Sequence, residues 1–264
     1  MEERPIAGEV LVESATEGVA VIRLSNPSRA NAITDAMLRD LAGVLAGPAV
    51  ADARCVLLGG AGERHFSSGL DLSGVGALDE RLRAGERLLG EAARAIEDCP
   101  RPVVAVLSGA VMGGALELAV ACDWRIAGGS ARLAMPAGRL GVVYTADGLE
   151  RFVAVLGPAR TRMLFATGEP VTAAKGHAIG LVDEVVEDDS SLWARARESA
   201  THVAQTAPLS VRGMRDIVGA LARNDRSRAD AIAAERRAEA FDSADFQEGL
   251  AAFAARRAPD FRGR

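Results

Sequence analysis

From residue 10 to about residue 157, short apolar runs alternate with stretches of helical spacing; beyond it nearly every segment has helical spacing alone. This change of period limits the fold more than any other property of the chain. Val10–Val12 and Val19–Leu24 flank a Glu17-Gly18 turn signal and read as an opening hairpin. A helix is expected from about Thr34, a suitable N-cap, with Met37, Leu38, Leu41, Val44 and Leu45 on one face. Cys55–Leu58 reads as a short strand and Val103–Leu107 as another, entered through Pro100 and Pro102. Between them a second helix runs from about Asp79 to Glu97, with Leu82, Leu89 and Ile96 on its buried side. Strands that are apolar at every position are covered on both faces, so the alternation predicts an α/β fold with crossover-linked sheets. Past Gly157 the segments 158–166, 172–179, 190–206, 208–222, 228–241 and 244–257 read as helices, and only Val182–Val186 as extended. On the last of these, Phe246, Leu250 and Phe253 form an apolar stripe that needs a surface in this subunit or a neighbour.

Composition removes several function classes. With 25% charged residues and a net charge of −5, the chain has no general electrostatic attraction for nucleic acid or an acidic membrane surface. Cys55, Cys99 and Cys122 are odd in number, far apart and set in apolar surroundings, as small hydrophobes in a reducing compartment are. No cysteine pair has zinc-ligand spacing and there are 3 histidines, so no metal site is expected. Met1–Pro5 lacks the basic and apolar regions of a signal peptide, and no run reaches the roughly 18 apolar residues of a membrane span. A soluble, cytoplasmic protein is expected. Phosphate-cradling, dinucleotide-binding and nucleophile-elbow motifs are all missing from the sequence.

Residues 109–123 carry the chemistry. They read Gly-Ala-Val-Met-Gly-Gly-Ala-Leu-Glu-Leu-Ala-Val-Ala-Cys-Asp, a glycine pair at the start of an apolar helix with one carboxylate, Glu117, a turn inside. Glycine lets backbone approach a ligand, and the first N–H groups of a helix lack internal partners at the positive end of its dipole. Such a start can bind a developing oxyanion with a carboxylate at hand to move a proton. The alternative is a tightly packed helix with a buried, satisfied glutamate. Tyr144 is the only tyrosine, in a loop of small residues, and reads either as core or as a site group.

A second glycine loop, Phe66-Ser67-Ser68-Gly69-Leu70-Asp71-Leu72, precedes the first by about 45 residues. Together they resemble the enoyl-CoA hydratase/isomerase (crotonase) superfamily. The resemblance extends to Asn26-Pro27-Ser28-Arg29-Ala30-Asn31-Ala32, to Leu133 and Pro136 with Gly141 and Gly157, to Ala178-Ile179-Gly180-Leu181-Val182, and to the stretch from Asp245 to Arg257. It implies a crotonase-like spiral of ββα units over 1–195 and a C-terminal helical trimerisation domain over 196–264, assembled as a homotrimer or hexamer. It also implies an acyl-CoA substrate, with coenzyme A as part of that substrate and no tightly bound cofactor. The backbone N–H groups of Leu70 and Gly114 would form the thioester oxyanion hole, with Glu117 as acid/base. Arg29, Ala30, Ser68, Gly69, Asp71 and Arg256 fall on positions that contact the CoA moiety.

One position departs from the pattern. Family hydratases use two glutamates, and the second falls on Ala137, which neither accepts nor donates a proton. Hydration or isomerisation through Glu117 and a substitute group, for which Tyr144 and Asp147 lie close in sequence, is the first expectation. Decarboxylation of a malonyl-type CoA is the second, because Tyr144 and Gly148 resemble the loop of the methylmalonyl-CoA decarboxylase branch; that branch has a histidine where this chain has Leu70. Acyl-CoA binding without turnover is the third.

Overall fold

The expected apolar strands stand side by side in the computed structural model, which describes residues 8–72 and 78–264. The Met1–Pro5 segment behind the localisation expectation lies outside the described residues, and so does the side chain of Leu82. Strands β1 (Glu9–Thr16) and β2 (Val19–Ser25) form the opening antiparallel hairpin, with a register break between Glu13 and Thr16. The chain then passes through α1 (Asp35–Leu45) and α2 (Pro48–Ala51) to β3 (Cys55–Gly60), parallel to β2. Thr34 does cap α1: its hydroxyl accepts the Met37 N–H at 3.3 Å. Helix α3 (Leu78–Glu97) leads to β4 (Val103–Leu107), parallel to β3.

After β4 each turn of the chain adds to two sheets. The short strand β5 (Ala110–Met112) and helix α4 (Gly114–Ala121) precede β6 (Trp124–Gly128), which returns beside β4. Next come β7 (Arg132–Ala134), parallel to β5, then α5 (Ala146–Thr167), β8 (Val171–Thr172), antiparallel to β7, and α6 (Ala173–Ile179). β9 (Glu184–Val186) closes the large sheet in the order β1-β2-β3-β4-β6-β9, while β5-β7-β8 make the small one. This is a spiral of ββα units, as the resemblance implies.

Two apolar layers hold the spiral together. Ile22, Leu24, Met37, Leu41, Phe66 and Phe152 belong to the larger layer, all but excluded from solvent. On the opposite face Val21, Leu57 and Val106 are covered by α7 (Leu192–Ala204) through Leu192, Ala196 and Ala200. Burying a leucine in such a layer contributes about 1.5–3 kcal/mol. Helices α8 (Pro208–Ala222), α9 (Arg226–Phe241) and α10 (Ala244–Ala255) follow, α8 packed along α9. No helix among the described residues is long and apolar enough to cross a membrane.

The structure corrects the reading in one consequential place. Gly157-Pro158 looked like a boundary after which helix begins, whereas α5 already starts at Ala146 and continues through a kink at Gly157 (φ 71°, ψ 167°). Glycine tolerates that left-handed backbone, and proline sits on the first turn after it, where its missing N–H costs nothing. Strands β5, β7 and β8 carry too few residues for any period to be read.

Candidate active site

The two glycine loops are stitched to one another by backbone pairing. Segment 66–71 lies between residues 32–33 and strand β5. Ser67 donates its N–H to Ala110 O at 2.9 Å and accepts from Met112 N at 3.1 Å, while Gly69 O accepts from Ile33 N and Asp71 N donates to Ile33 O, both at 2.8 Å. In such a parallel bridge the N–H of Leu70 points away from Ile33, towards the end of β5 and the start of α4. Gly69 has φ +99°, and a Cβ there would stand 2.7 Å from Met112 O and 3.9 Å from Gly114 N. The N–H groups of Leu70 and Gly114 donate to no acceptor among the described residues. Two free donors thus come together at one helix start.

Gly113 turns the chain with φ +55° and spends its own N–H on Ala134 O at 2.9 Å. The next residue packs closely too, for a Cβ on Gly114 would meet Leu89 Cδ2 at 2.9 Å and Leu70 Cγ at 3.2 Å, so both leucine side chains would have to give way. Helix α4 is buried at every position, so the only charged group on it, Glu117, is 2% exposed.

The carboxylate is held on both sides. Tyr144 donates its hydroxyl to Glu117 Oε2 at 2.5 Å, and the Arg151 guanidinium donates to Oε1 at 3.0 Å. Arg151 is itself buried and grips Glu97 of α3 through Nε at 2.8 Å and a terminal nitrogen at 3.3 Å. Arg223, at the end of α8, bonds the same Glu97 at 3.2 Å. Burial pushes the Glu117 carboxyl above the usual carboxylate range, against the pull of the Tyr144 hydroxyl and the Arg151 charge. Burial and then the Glu117 charge push the Tyr144 phenol well above its ordinary value. Tyr144 is therefore a neutral donor, not a base. Burial works against the Arg151 charge, yet Glu97 and Glu117 hold it above its ordinary value. A buried ion pair stripped of one partner typically costs about 3–5 kcal/mol, so this chain of charges stands or falls as a unit.

Tyr144 is seated by packing. Its ring meets Phe165 edge-on at 5.3 Å, and a Cβ on Gly148 would lie 2.6 Å from the ring. Thr145 caps α5 by accepting the Gly148 N–H at 3.2 Å, which fixes the tyrosine just ahead of the helix that carries Arg151. Ala137 lies buried in a short 3-10 turn, Pro136–Leu140, and Asp147 is paired with Arg94.

The residues expected at the CoA edge fall into two places. Arg29, Ala30, Ser68, Gly69 and Asp71 are gathered: Arg29 pairs with Asp71 at 3.0 Å, Ser68 donates its hydroxyl to Arg29 O at 3.0 Å and its N–H to Ala30 O at 2.9 Å. Ala30 and Asn31 both adopt left-handed backbone, held because the Asn31 side chain bonds Asn26 N, Ala61 O and His65 O. Arg256 lies elsewhere, at the left-handed end of α10, and its guanidinium has no ion pair or hydrogen bond among the described residues. The sequence alone assigns no site role to Arg151, nor to Glu97, which it places at the end of the second helix. The span 149–156, which carries Arg151, has no element assigned to it from the sequence.

The chain matches the family model for enoyl-CoA hydratase/isomerase over residues 14–264. It is 32% identical over 252 residues to the probable enoyl-CoA hydratase of Bacillus subtilis strain 168, covering 93% of this chain and 95% of that one. It is 28% identical to the methylmalonyl-CoA decarboxylase of Escherichia coli K12, covering 93% and 95%. Among solved structures, the enoyl-CoA hydratase of Bacillus anthracis superposes with a TM-score of 0.90 at 30% identity, covering 97% of this chain and 100% of that one.

Proposed function

The chain belongs to the enoyl-CoA hydratase/isomerase family, and from that premise we propose that it transfers protons on an enoyl-CoA thioester, hydrating or isomerising the double bond. The observation that carries this reading is the meeting of two unspent N–H donors, Leu70 and Gly114, one helical turn from the buried Glu117. The donors would hold the thioester oxygen and bind it more tightly as an enolate than as a ground-state carbonyl, which lowers the barrier selectively. Glu117 would take or return the proton on the acyl chain. With alanine at position 137 a single carboxylate works with the Tyr144 hydroxyl. A shift of the double bond needs one base that removes a proton at one carbon and returns it at another, whereas hydration also needs a group to orient water.

Arg29, Ala30, Ser68, Gly69 and Asp71 would edge the CoA moiety, with Arg256 reaching its phosphates from the helical region. The CoA is part of the substrate and no further cofactor is invoked. The exposed apolar side chains Met214, Val218, Leu250 and Phe253, with a cavity of about 400 Å³ beside Met214 and Leu250, support a homotrimer or hexamer.

The test is turnover of crotonyl-CoA and of a 3-enoyl-CoA followed by thioester absorbance. Glu117→Gln is expected to lower kcat about 10²–10⁴-fold while acyl-CoA still binds. Tight binding without turnover in the wild-type protein would leave a binding protein in place of an enzyme. A second reading, loss of carbon dioxide from a malonyl-type CoA, is favoured by the Tyr144 hydroxyl inside the site. Carbon dioxide release from methylmalonyl-CoA that disappears in Tyr144→Phe would select it.

A further inference from the structure

The charges behind Glu117 form a line that leaves the site: Glu117 on α4, Arg151 on α5, Glu97 on α3 and Arg223 at the end of α8. Arg151 approaches Oε1 and Tyr144 approaches Oε2, so one oxygen is committed to the guanidinium and the other to a neutral hydroxyl. Burial alone drives a carboxyl towards its protonated form, in which it cannot act as a base. It would also be free to turn about its last torsion. We propose that Arg151 is a positioning residue that keeps Glu117 an oriented carboxylate, with Oε1 fixed and Oε2 left to exchange a proton beside Tyr144, and that Glu97 is a positioning residue one step further back, which holds the guanidinium in place. The proposal rests on Glu117 being the proton-transfer group.

The groups around the pair set the signs of the effects. Tyr144 stands ahead of α5, Arg151 and Asp147 lie on α5, and Glu86 and Glu97 lie on α3. Asp147 is paired with Arg94, and Arg125 on β6 is occupied by Asp183 and two carbonyls. The Arg151 charge favours the ionised form of Glu117, and the Glu97 charge opposes it. The two positioning residues therefore act in opposite directions on one proton. A merely structural role would not divide them in that way.

The experiment is the pH profile of kcat/KM for the wild type, Arg151→Met, Arg151→Lys and Glu97→Gln, with acyl-CoA affinity measured alongside. Arg151→Met is expected to move the acid limb up by about 1–3 pH units, since an opposite charge this close shifts a carboxyl by that much. Arg151→Lys is expected to restore part of the shift. Glu97→Gln removes the opposing charge and keeps one acceptor oxygen for the Arg151 guanidinium, its other oxygen becoming an NH2 donor, so its acid limb is expected to move down. Affinity for acyl-CoA is expected to stay within about twofold in each variant, because neither residue reaches the Leu70 and Gly114 donors. Coincident acid limbs, or shifts of the same sign in Arg151→Met and Glu97→Gln, overturn the proposal. Infrared titration of the protonated carboxyl band, assigned by its loss in Glu117→Gln, reads the same proton without turnover. An enzyme inactive on enoyl-CoA would thus sink the proposed activity and leave this inference still decided by the band. If Arg151→Met does not fold, Glu97→Gln decides alone: a midpoint that stays or rises overturns the proposal.

Discussion

Tyr144 and Glu117 share one proton-bearing contact, and the tyrosine owes its position to a glycine. The hydroxyl favours the ionised carboxylate, so Tyr144→Phe is expected to raise the acid limb of activity. Gly148→Ala leaves the hydroxyl in the protein but drives a methyl into the ring that now lies 2.6 Å from the ideal Cβ position. It is expected to reproduce the Tyr144→Phe profile, and pH-rate curves for both variants check this. An unshifted limb in Gly148→Ala would mean that the ring yields without losing its bond. At this scale the sequence offered Glu117 as a candidate because it sits behind a glycine pair, and Tyr144 because it is the sole tyrosine and its loop resembles that of the decarboxylase branch. The structure joins the two by a hydrogen bond. The sequence did not disclose Arg151. The chain contains many arginines on exposed faces, and nothing local distinguishes the one that packing turns inward.

Element starts and ends carry the next set of consequences. The donor of Leu70 is aimed by the left-handed Gly69 beside it, where any Cβ strains the backbone and presses on Met112 O. Gly69→Ala is expected to cost about 10²–10³ in kcat, the loss of one oxyanion donor, while the Glu117 carboxyl keeps its titration. A matching loss of folded protein in thermal melts would instead assign the effect to stability. At the far end, α10 is tied down by Glu248, which accepts from Arg257 at 2.5 and 2.8 Å and from Asp260 N at 2.8 Å. The Arg257 guanidinium and the Asp260 N–H lower the Glu248 carboxyl from 4.5 to about 2. A carboxyl lowered on folding stabilises the folded state above its unfolded value, and the contribution drains away as pH falls through the folded one. Denaturation followed between pH 5 and 2 is expected to show Glu248→Gln losing its deficit relative to the wild type towards the acid end.

Across the whole molecule, the exposed face of α8 and α10 is the feature that a lone subunit leaves unexplained. Phe253 is 85% exposed and Val218 62%, on helices whose neighbours line an apolar cavity. Phe253→Asp is expected to reduce the mass seen by light scattering to that of a single chain. An unchanged mass would place the subunit contact elsewhere. The line from Glu117 to Arg223 adds a reason to watch this region, because it connects the carboxylate with the end of a helix that belongs to the exposed face.

The resemblance supplied the vacancy at Ala137; by itself the sequence determined the alternation of buried strands and helices, the two glycine loops and the one glutamate within 109–123. Each of these is local: a period, a spacing or a side chain read where it stands. Only the tertiary structure decided that the N–H groups of Leu70 and Gly114, paired beforehand by the resemblance alone, are both left without an acceptor among the described residues, and that α5 begins eleven residues before Gly157. It alone decided that Glu117 shares a buried guanidinium with Glu97. Those outcomes depend on which faces of α3, α4 and α5 meet, and a charge is buried only when long-range packing delivers its partner.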